Sequence, residues 1–228
     1  MTKNMLISVL ILSAALATCS DTGEKVDLDD LTLAARRGDP AAQYKLGLYY
    51  LQQCRPANPV LAVEWLARAG EQGHVEAQSW LGSIYEKGRR EKGPNSVAAN
   101  AEQAAYWYAK LAESLQKIAE HGSAANQFRL GTLYEKGQGV PQDADQAYAW
   151  HQKAAEQWRT QAEQGNVAAH LFLSHCYEMG KGIPQDIDEA VRLLEKAVEI
   201  GTGSDRTIAQ RCLQELQDKI NKQDERRE

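Results

Sequence analysis

The sequence predicts an all-α fold: about four antiparallel helix pairs in a row, with a capping helix at either end. The first observation behind this is a phrase written twice. Leu-x-x-x-Tyr-x-x-Gly-x-Gly-[Val/Ile]-Pro-Gln-Asp opens at Leu130 and again at Leu173, 43 residues later. The second is that the phrase belongs to a longer self-similarity, the signature of a repeat architecture. Residues 42–50, 77–85, 126–134 and 169–177 superimpose without a gap, aligning Leu46, Leu81, Leu130 and Leu173, and likewise Tyr50, Tyr85, Tyr134 and Tyr177. The third is a further block after each of these, in which Ala62, Ala104, Ala147 and Ala190 correspond, as do Trp65, Trp107, Trp150 and Leu193.

Each block reads as a helix because Ala, Leu and Tyr recur at three- and four-residue steps, which gathers them into one apolar stripe. Residues 28–38, "LDDLTLAARRG", read as a lone second helix with its terminal glycine, an N-terminal cap. Copies follow at 39–73, 74–122, 123–165 and 166–201. In copies three and four the first helix is stopped by Gly137-x-Gly139 and Gly180-x-Gly182, where glycine tolerates left-handed backbone and the following proline cannot continue the helix. Asp143 or Asp145, and Asp186 or Asp188, then cap the second helix. Gly73, Gly122, Gly165 and Gly201 end it. Gly47, Gly82 and Gly131 stand mid-helix, at a cost of about 1 kcal/mol against alanine. That cost makes sense where a neighbouring helix crosses too close for a side chain, with Ser174 as the small stand-in. Residues 204–222 form an amphipathic helix through Ile208, Cys212, Leu216 and Ile220 that covers the open end, and 223–228 are a charged tail.

The motif A-x-x-x-L-G-x-x-Y, then G-x-G-V-x-x-D, then A-x-x-W-x-x-K-A-A-x-x-G is met almost in full by copy three, and it resembles the Sel1-like repeat family, a relative of the tetratricopeptide repeats. Copy one has "QQCRPANP" in place of the loop glycines, and copy four lacks the Gly and the Trp. The resemblance implies a right-handed superhelical solenoid whose concave face binds. Against a family unit of about 36 residues, copies two and three each carry seven extra residues before their terminal glycine: Lys110 to Gly122 and Lys153 to Gly165 are 12 apart, where Arg68 to Gly73 is 5. Two adjacent second helices are therefore each about 10 Å longer.

Residues 1–18 read as a signal peptide: Lys3, then an uncharged run from Met5 to Ala17, too short to span a bilayer comfortably. Ala15-Leu16-Ala17 suits ordinary cleavage. Leu16-Ala17-Thr18-Cys19 resembles the lipobox of bacterial lipoproteins, although Thr18 departs from it; the polar tether at 19–27 favours this second exit, with Cys19 lipidated. The protein is thus expected outside the cytoplasm, in the periplasm and anchored to the outer membrane. If Cys19 is acylated, Cys54, Cys176 and Cys212 remain, and Cys176 and Cys212 are the candidate disulfide.

Chemistry is largely missing. A formal charge of −5 without a long basic run excludes a nucleic-acid footprint. Ser114-x-x-Lys117 matches the nucleophile motif of penicillin-binding enzymes, but its Lys-Thr-Gly and Ser-x-Asn partners are lacking, so a weak β-lactamase-like activity is the outside reading. His170 and His175 are five apart and share no helix face, and no calcium ladder or phosphate loop stands anywhere. No metal, no cofactor and no catalytic residue is expected. What remains is a surface. Leu115 and Trp158 occupy equivalent places in the two extended helices, with Ile118 one turn beyond Leu115. They either lengthen the core or form a docking patch, with Arg89 and Arg90 as an electropositive rim. The expectation is a non-catalytic module that binds another protein in the bacterial envelope. By resemblance this is a scaffold of assembly or secretion, or an immunity protein neutralising a secreted toxin such as a phospholipase.

Overall fold

The computed structural model describes residues 28–54, 57–89 and 95–224. Ten α-helices account for nearly all of it, and the described residues hold no strand beyond an isolated bridge between Arg89 and Val97. The chain divides into two compact units, 1–114 and 115–228.

The first unit opens with the cap helix α1 (Leu28–Arg36). Copy one pairs α2 (Pro40–Leu48) with α3 (Pro59–Glu71). Its missing loop glycines are replaced by a π-helical turn, Tyr49–Gln53, continuing α2. Copy two pairs α4 (Val75–Lys87) with α5 (Ala101–Ala119), in which the unit boundary falls. The second unit holds copy three, α6 (Ala124–Lys136) with α7 (Ala144–Glu163), and copy four, α8 (Val167–Met179) with α9 (Ile187–Ile200), then α10 (Gly203–Asp224). As the spacing predicts, α5 and α7 are long, at 19 and 20 residues, where α3 has 13 and α9 has 14.

Side-chain caps start most of these helices. Of the alternatives left open by the sequence, Asp143 and Asp186 are the caps, each accepting from the backbone N–H three residues on, Gln146 and Glu189, at 2.9 Å. Gly137 and Gly180 end α6 and α8 in the left-handed region (φ 66°, ψ 31°). The second loop glycine of copy four does a different job. Gly182 (φ +70°) lies against the backbone of α7, where a Cβ would fall inside His151 and Gln152.

Inside each pair, the mid-helix glycine meets the residue after the tryptophan column. A Cβ on Gly47 would sit 2.7 Å from Leu66, one on Gly82 2.6 Å from Tyr108, and one on Gly131 2.5 Å from His151. Leu66, Tyr108, His151 and their counterpart Leu194 are all buried. The tryptophan column itself is less uniform than the alignment suggests. Trp65 and Trp107 are in the core, but Trp150 is only half-buried, with Lys153 over its ring at 4.2 Å.

Successive pairs are sealed by a buried amide. Gln43, Gln78 and Gln127 each donate to a carbonyl eight residues earlier, at the end of the preceding helix: Ala35, Gly70 and Ala119, at 3.0, 2.9 and 2.9 Å. Each of these carbonyls also accepts the backbone N–H of the glycine three residues on, Gly38, Gly73 and Gly122, at 3.2, 3.0 and 3.3 Å, and the amide fills its second lone pair. His170 departs from the scheme, its Nδ1 lying 2.9 Å from the Asn166 carbonyl. Arg206 restores the scheme after α9 with a bond to the Val198 carbonyl at 3.1 Å. The far end of each amide is supplied separately: Gln72 donates to Gln43 at 2.8 Å, and Gln157 to Gln127 at 3.1 Å. In copy two the residue at that place is Ser114, and the buried Gln78 Oε1 finds no donor among the described residues.

The expected Cys176–Cys212 disulfide is not formed; both are free thiols. Cys176 points into the core shared with Trp158 and Leu173, whereas Cys212, on α10, packs with Leu194 and Leu216. Burial pushes the Cys176 thiol up to about 12, so it stays protonated and inert.

Two stability predictions follow from this packing. Ser114→Gln should supply the absent donor and raise stability to denaturant by about 1 kcal/mol, a gain that should vanish in a Gln78→Met background. Gly165, whose φ is +83°, has open space where a Cβ would go, so Gly165→Ala should cost about 1–2 kcal/mol, whereas Gly182→Ala should cost at least about 3 kcal/mol because backbone must move.

Candidate interaction surface

Of the two readings left open for the extended helices, a longer core or a docking patch, Leu115 and Trp158 follow the first. Leu115 is 0% and Trp158 4% exposed. Seven residues add nearly two turns, so the apolar stripe of each helix continues in register and these side chains lengthen the core. Ile118, one turn on from Leu115, is exposed. Arg89 is tied by its backbone to Val97, donating at 2.7 Å and accepting at 2.8 Å. Arg90 and Cys19 lie outside the described residues.

The second unit exposes a different apolar set. On α8, Ala169, Leu173 and Cys176 face the core, while Leu171, Ser174 and Glu178 line a groove beside α10. The exposed face carries Phe172, His175 and Met179, spaced i, i+3, i+7, so they form one stripe, of which His175 and Met179 also border that groove. Phe172 is 49% and Met179 53% exposed. Phe172 is not loose: it stacks on the buried Trp158 indole with centroids 4.9 Å apart and planes 18° from parallel. Phe128 of α6 extends the wall, 5.4 Å from Trp158, 4.6 Å from His151 and 6.1 Å from His175.

Charge frames this wall. Lys181 stands 5.6 Å above the Phe128 ring and pairs with Glu135 at 2.7 Å. Burial is the largest single influence and works against the Glu135 carboxylate, but the Lys181 bond together with the positive charges around it outweighs burial and holds the carboxyl below its usual range. Beyond the stripe, Lys219 bridges to Glu178 at 2.8 Å across two adjoining hollows of about 240 and 260 Å³, which share Met179 and Leu216. Arg159 donates to the Tyr177 hydroxyl at 3.4 Å. Among the described residues no cluster of three His, Cys, Asp or Glu side chains is placed to hold a metal ion. The geometry suits contact with another molecule's side chains: rigid aromatic area, a flexible methionine, and ion pairs at the margin.

The Sel1 repeat model matches residues 40–74, 75–114, 127–157 and 167–201, more than half of the chain. The chain belongs to the Sel1 repeat family. It is an all-α solenoid of Sel1 repeats, a type that generally mediates protein–protein contact and is typically non-catalytic. It is similar to an F-box protein of Arabidopsis thaliana, 41% identical over 56 residues, which are 25% of this chain and 16% of that protein. Among solved structures, a Sel1 repeat protein from Oxalobacter formigenes is 28% identical, covering 76% of this chain and 64% of that one, with a TM-score of 0.42. The c5321 protein, a protective antigen of uropathogenic Escherichia coli strains displaying an SLR fold, is 30% identical over 80% of this chain and 44% of that one, with a TM-score of 0.37. A Sel1 repeat protein from Klebsiella pneumoniae is 16% identical over 82% and 98%, with a TM-score of 0.45. The chain therefore spans less than two thirds of the F-box protein and of the first two structures. With TM-scores below 0.5, none of the three superpositions bears on how these repeats curve.

Within the repeat register the α8 stripe has a sequence signal that the helix-extension argument passed over. Phe172 aligns with Lys45, Trp80 and Arg129, and Met179 with Gln52, Lys87 and Lys136. Copy four is apolar at both places.

Substitutions at the two stacked aromatics should therefore part company. Trp158→Ala should cost about 3–5 kcal/mol in chemical denaturation as a core truncation, and Phe172→Ser about 1 kcal/mol. Equal losses would mean that Phe172 is a core residue rather than a surface one.

Proposed function

We propose that this chain is a non-catalytic protein-binding module exported to the bacterial envelope, where it acts as a scaffold in envelope assembly or secretion. The observation that carries the binding role is the α8 stripe: Phe172 and Met179 lie about half open to solvent on a helix whose other faces are packed. Large apolar side chains held open to solvent along one stripe of a rigid helix mark a contact surface. A preformed helical surface also binds without a large ordering cost. Support for export comes from the sequence: Lys3, the uncharged run to Ala17, and Cys19 directly behind it. In this reading lipidated Cys19 anchors the protein to the outer membrane, and residues 20–27 space the repeats from the lipid surface. No described helix is long and apolar enough to cross a membrane, so among the described elements none competes with that anchor.

Cross-linking in the native envelope, followed by affinity capture, tests the reading. Wild-type chain should bring down one dominant protein, and Phe172→Asp/Met179→Asp, verified as folded by circular dichroism, should lose it. Capture that survives the double substitution would move the contact off α8. Metabolic labelling with palmitate should mark wild type and not Cys19→Ala; a wild-type chain without label would end the lipid-anchor part.

A further inference from the structure

The glycine crossing of copy three is unlike the others in chemistry. At the position that packs on the mid-helix glycine, copies one and two place Leu66 and Tyr108, copy four has Leu194 at the same register with Ser174 for the glycine, and copy three places His151. The imidazole is 3% exposed. It is walled by Gly131 on one side and by the Phe128 ring, 4.6 Å away, on another. Thr132 Oγ1 lies 3.4 Å from Nε2, and that hydroxyl already donates to the Phe128 carbonyl at 3.0 Å. Directly behind His151 runs the Lys181–Gly182 loop of copy four, with Gly182 in contact with the His151 and Gln152 backbone.

We propose that the His151 crossing is an acid-sensitive latch in the second unit: taking up a proton on the imidazole opens the α6–α7 crossing and releases the copy-four loop from α7. The groups that face the ring decide the sense. Lys181 from the copy-four loop and His175 from α8 oppose a positive charge there. Glu135 from α6 favours it, as does the Phe128 carbonyl, but Glu135 is already engaged by Lys181 at 2.7 Å. A protonated ring would thus face two basic groups with one occupied carboxylate, in a buried site.

Burial, with Lys181 adding to it, lowers the His151 pKa from 6.5 to about 4. Because the folded value is the depressed one, the neutral ring stabilises the folded unit at pH above about 6.5, and that contribution is lost as pH falls toward 4. Between pH 7 and pH 4.5 the opening constant should rise on the order of 50-fold.

Hydrogen exchange on the full chain, corrected for intrinsic rates, reads this directly. Protection in α6, α7 and the Lys181–Gly182 loop should fall by about that factor in wild type. The first unit, with Leu66 and Tyr108 at its crossings, should change far less. His151→Leu should hold the protection of α6 and α7 at pH 4.5. Parallel losses in wild type and His151→Leu would overturn the proposal. Should His151→Leu fail to fold, the imidazole resonance decides: a midpoint well below 6 in wild type, moving upward in Lys181→Met, is expected. A midpoint near 6.5, or one that Lys181→Met leaves unmoved, would equally overturn it.

Discussion

Everything in this fold depends on a contact made without a side chain. Where Gly47, Gly82 and Gly131 face Leu66, Tyr108 and His151, a Cβ would lie 2.5–2.7 Å from its neighbour, well inside van der Waals distance. The glycine is poor for the helix that contains it, yet it lets the two helices of a pair approach until the alanines around the crossing are buried on both sides. Ala62, Ala69, Ala154 and Ala155 are essentially inaccessible for this reason. Close packing of small residues also makes the pair intolerant of adjustment, since interiors at this density transmit any added volume to the backbone. The residue facing the glycine is thus one place where a copy expresses its individuality: leucine, tyrosine or histidine can fill the same space with different consequences.

A second constraint is polar. Stacking helix pairs buries the C-terminal carbonyls of each second helix, which would be costly if left unpaired. Glutamine solves this because its amide reaches a carbonyl while its own oxygen is served from Gln72 or Gln157. The extension of α5 and α7 fits within this scheme, since it begins after the position of those glutamines and displaces only the terminal glycine.

Much of this was legible in the residues. The long second helices, the loop-glycine stops and the aspartate caps all follow from local rules, and the structure has them where the pattern places them. The binding surface was not legible in the same way. Leu115 and Trp158 drew attention because they sit in inserted sequence, but insertion length alone does not tell whether a helix extends past its neighbours or together with them. Here the register of the stripe was the better guide, and it argued for burial. The α8 face escaped notice because Phe172 and Met179 look apolar in a helix rich in apolar residues; only comparison with Lys45, Arg129 and Lys136 at the same register shows them to be misplaced for a core. Trp150 erred in the opposite direction. A conspicuous residue in a conserved-looking column of this chain is half-exposed, while its plainer neighbour His151 occupies the crossing. The cysteine pairing failed because neighbouring helices offer several faces, and Cys176 and Cys212 use different ones.

The reach of the sealing amide is eight residues, from Gln43 back to Ala35, from Gln78 back to Gly70 and from Gln127 back to Ala119. Donor, acceptor and the turn between them therefore lie in one short uninterrupted piece of chain. A stretch of gene that duplicates a helix pair copies the means of joining it to its neighbour in the same event, with no second change needed elsewhere. Arg206 bonding back to Val198 across the same interval shows the joint still made where no further pair follows among the described residues. Each junction built this way carries its own seal, and among the described residues the one at His170 is made without it.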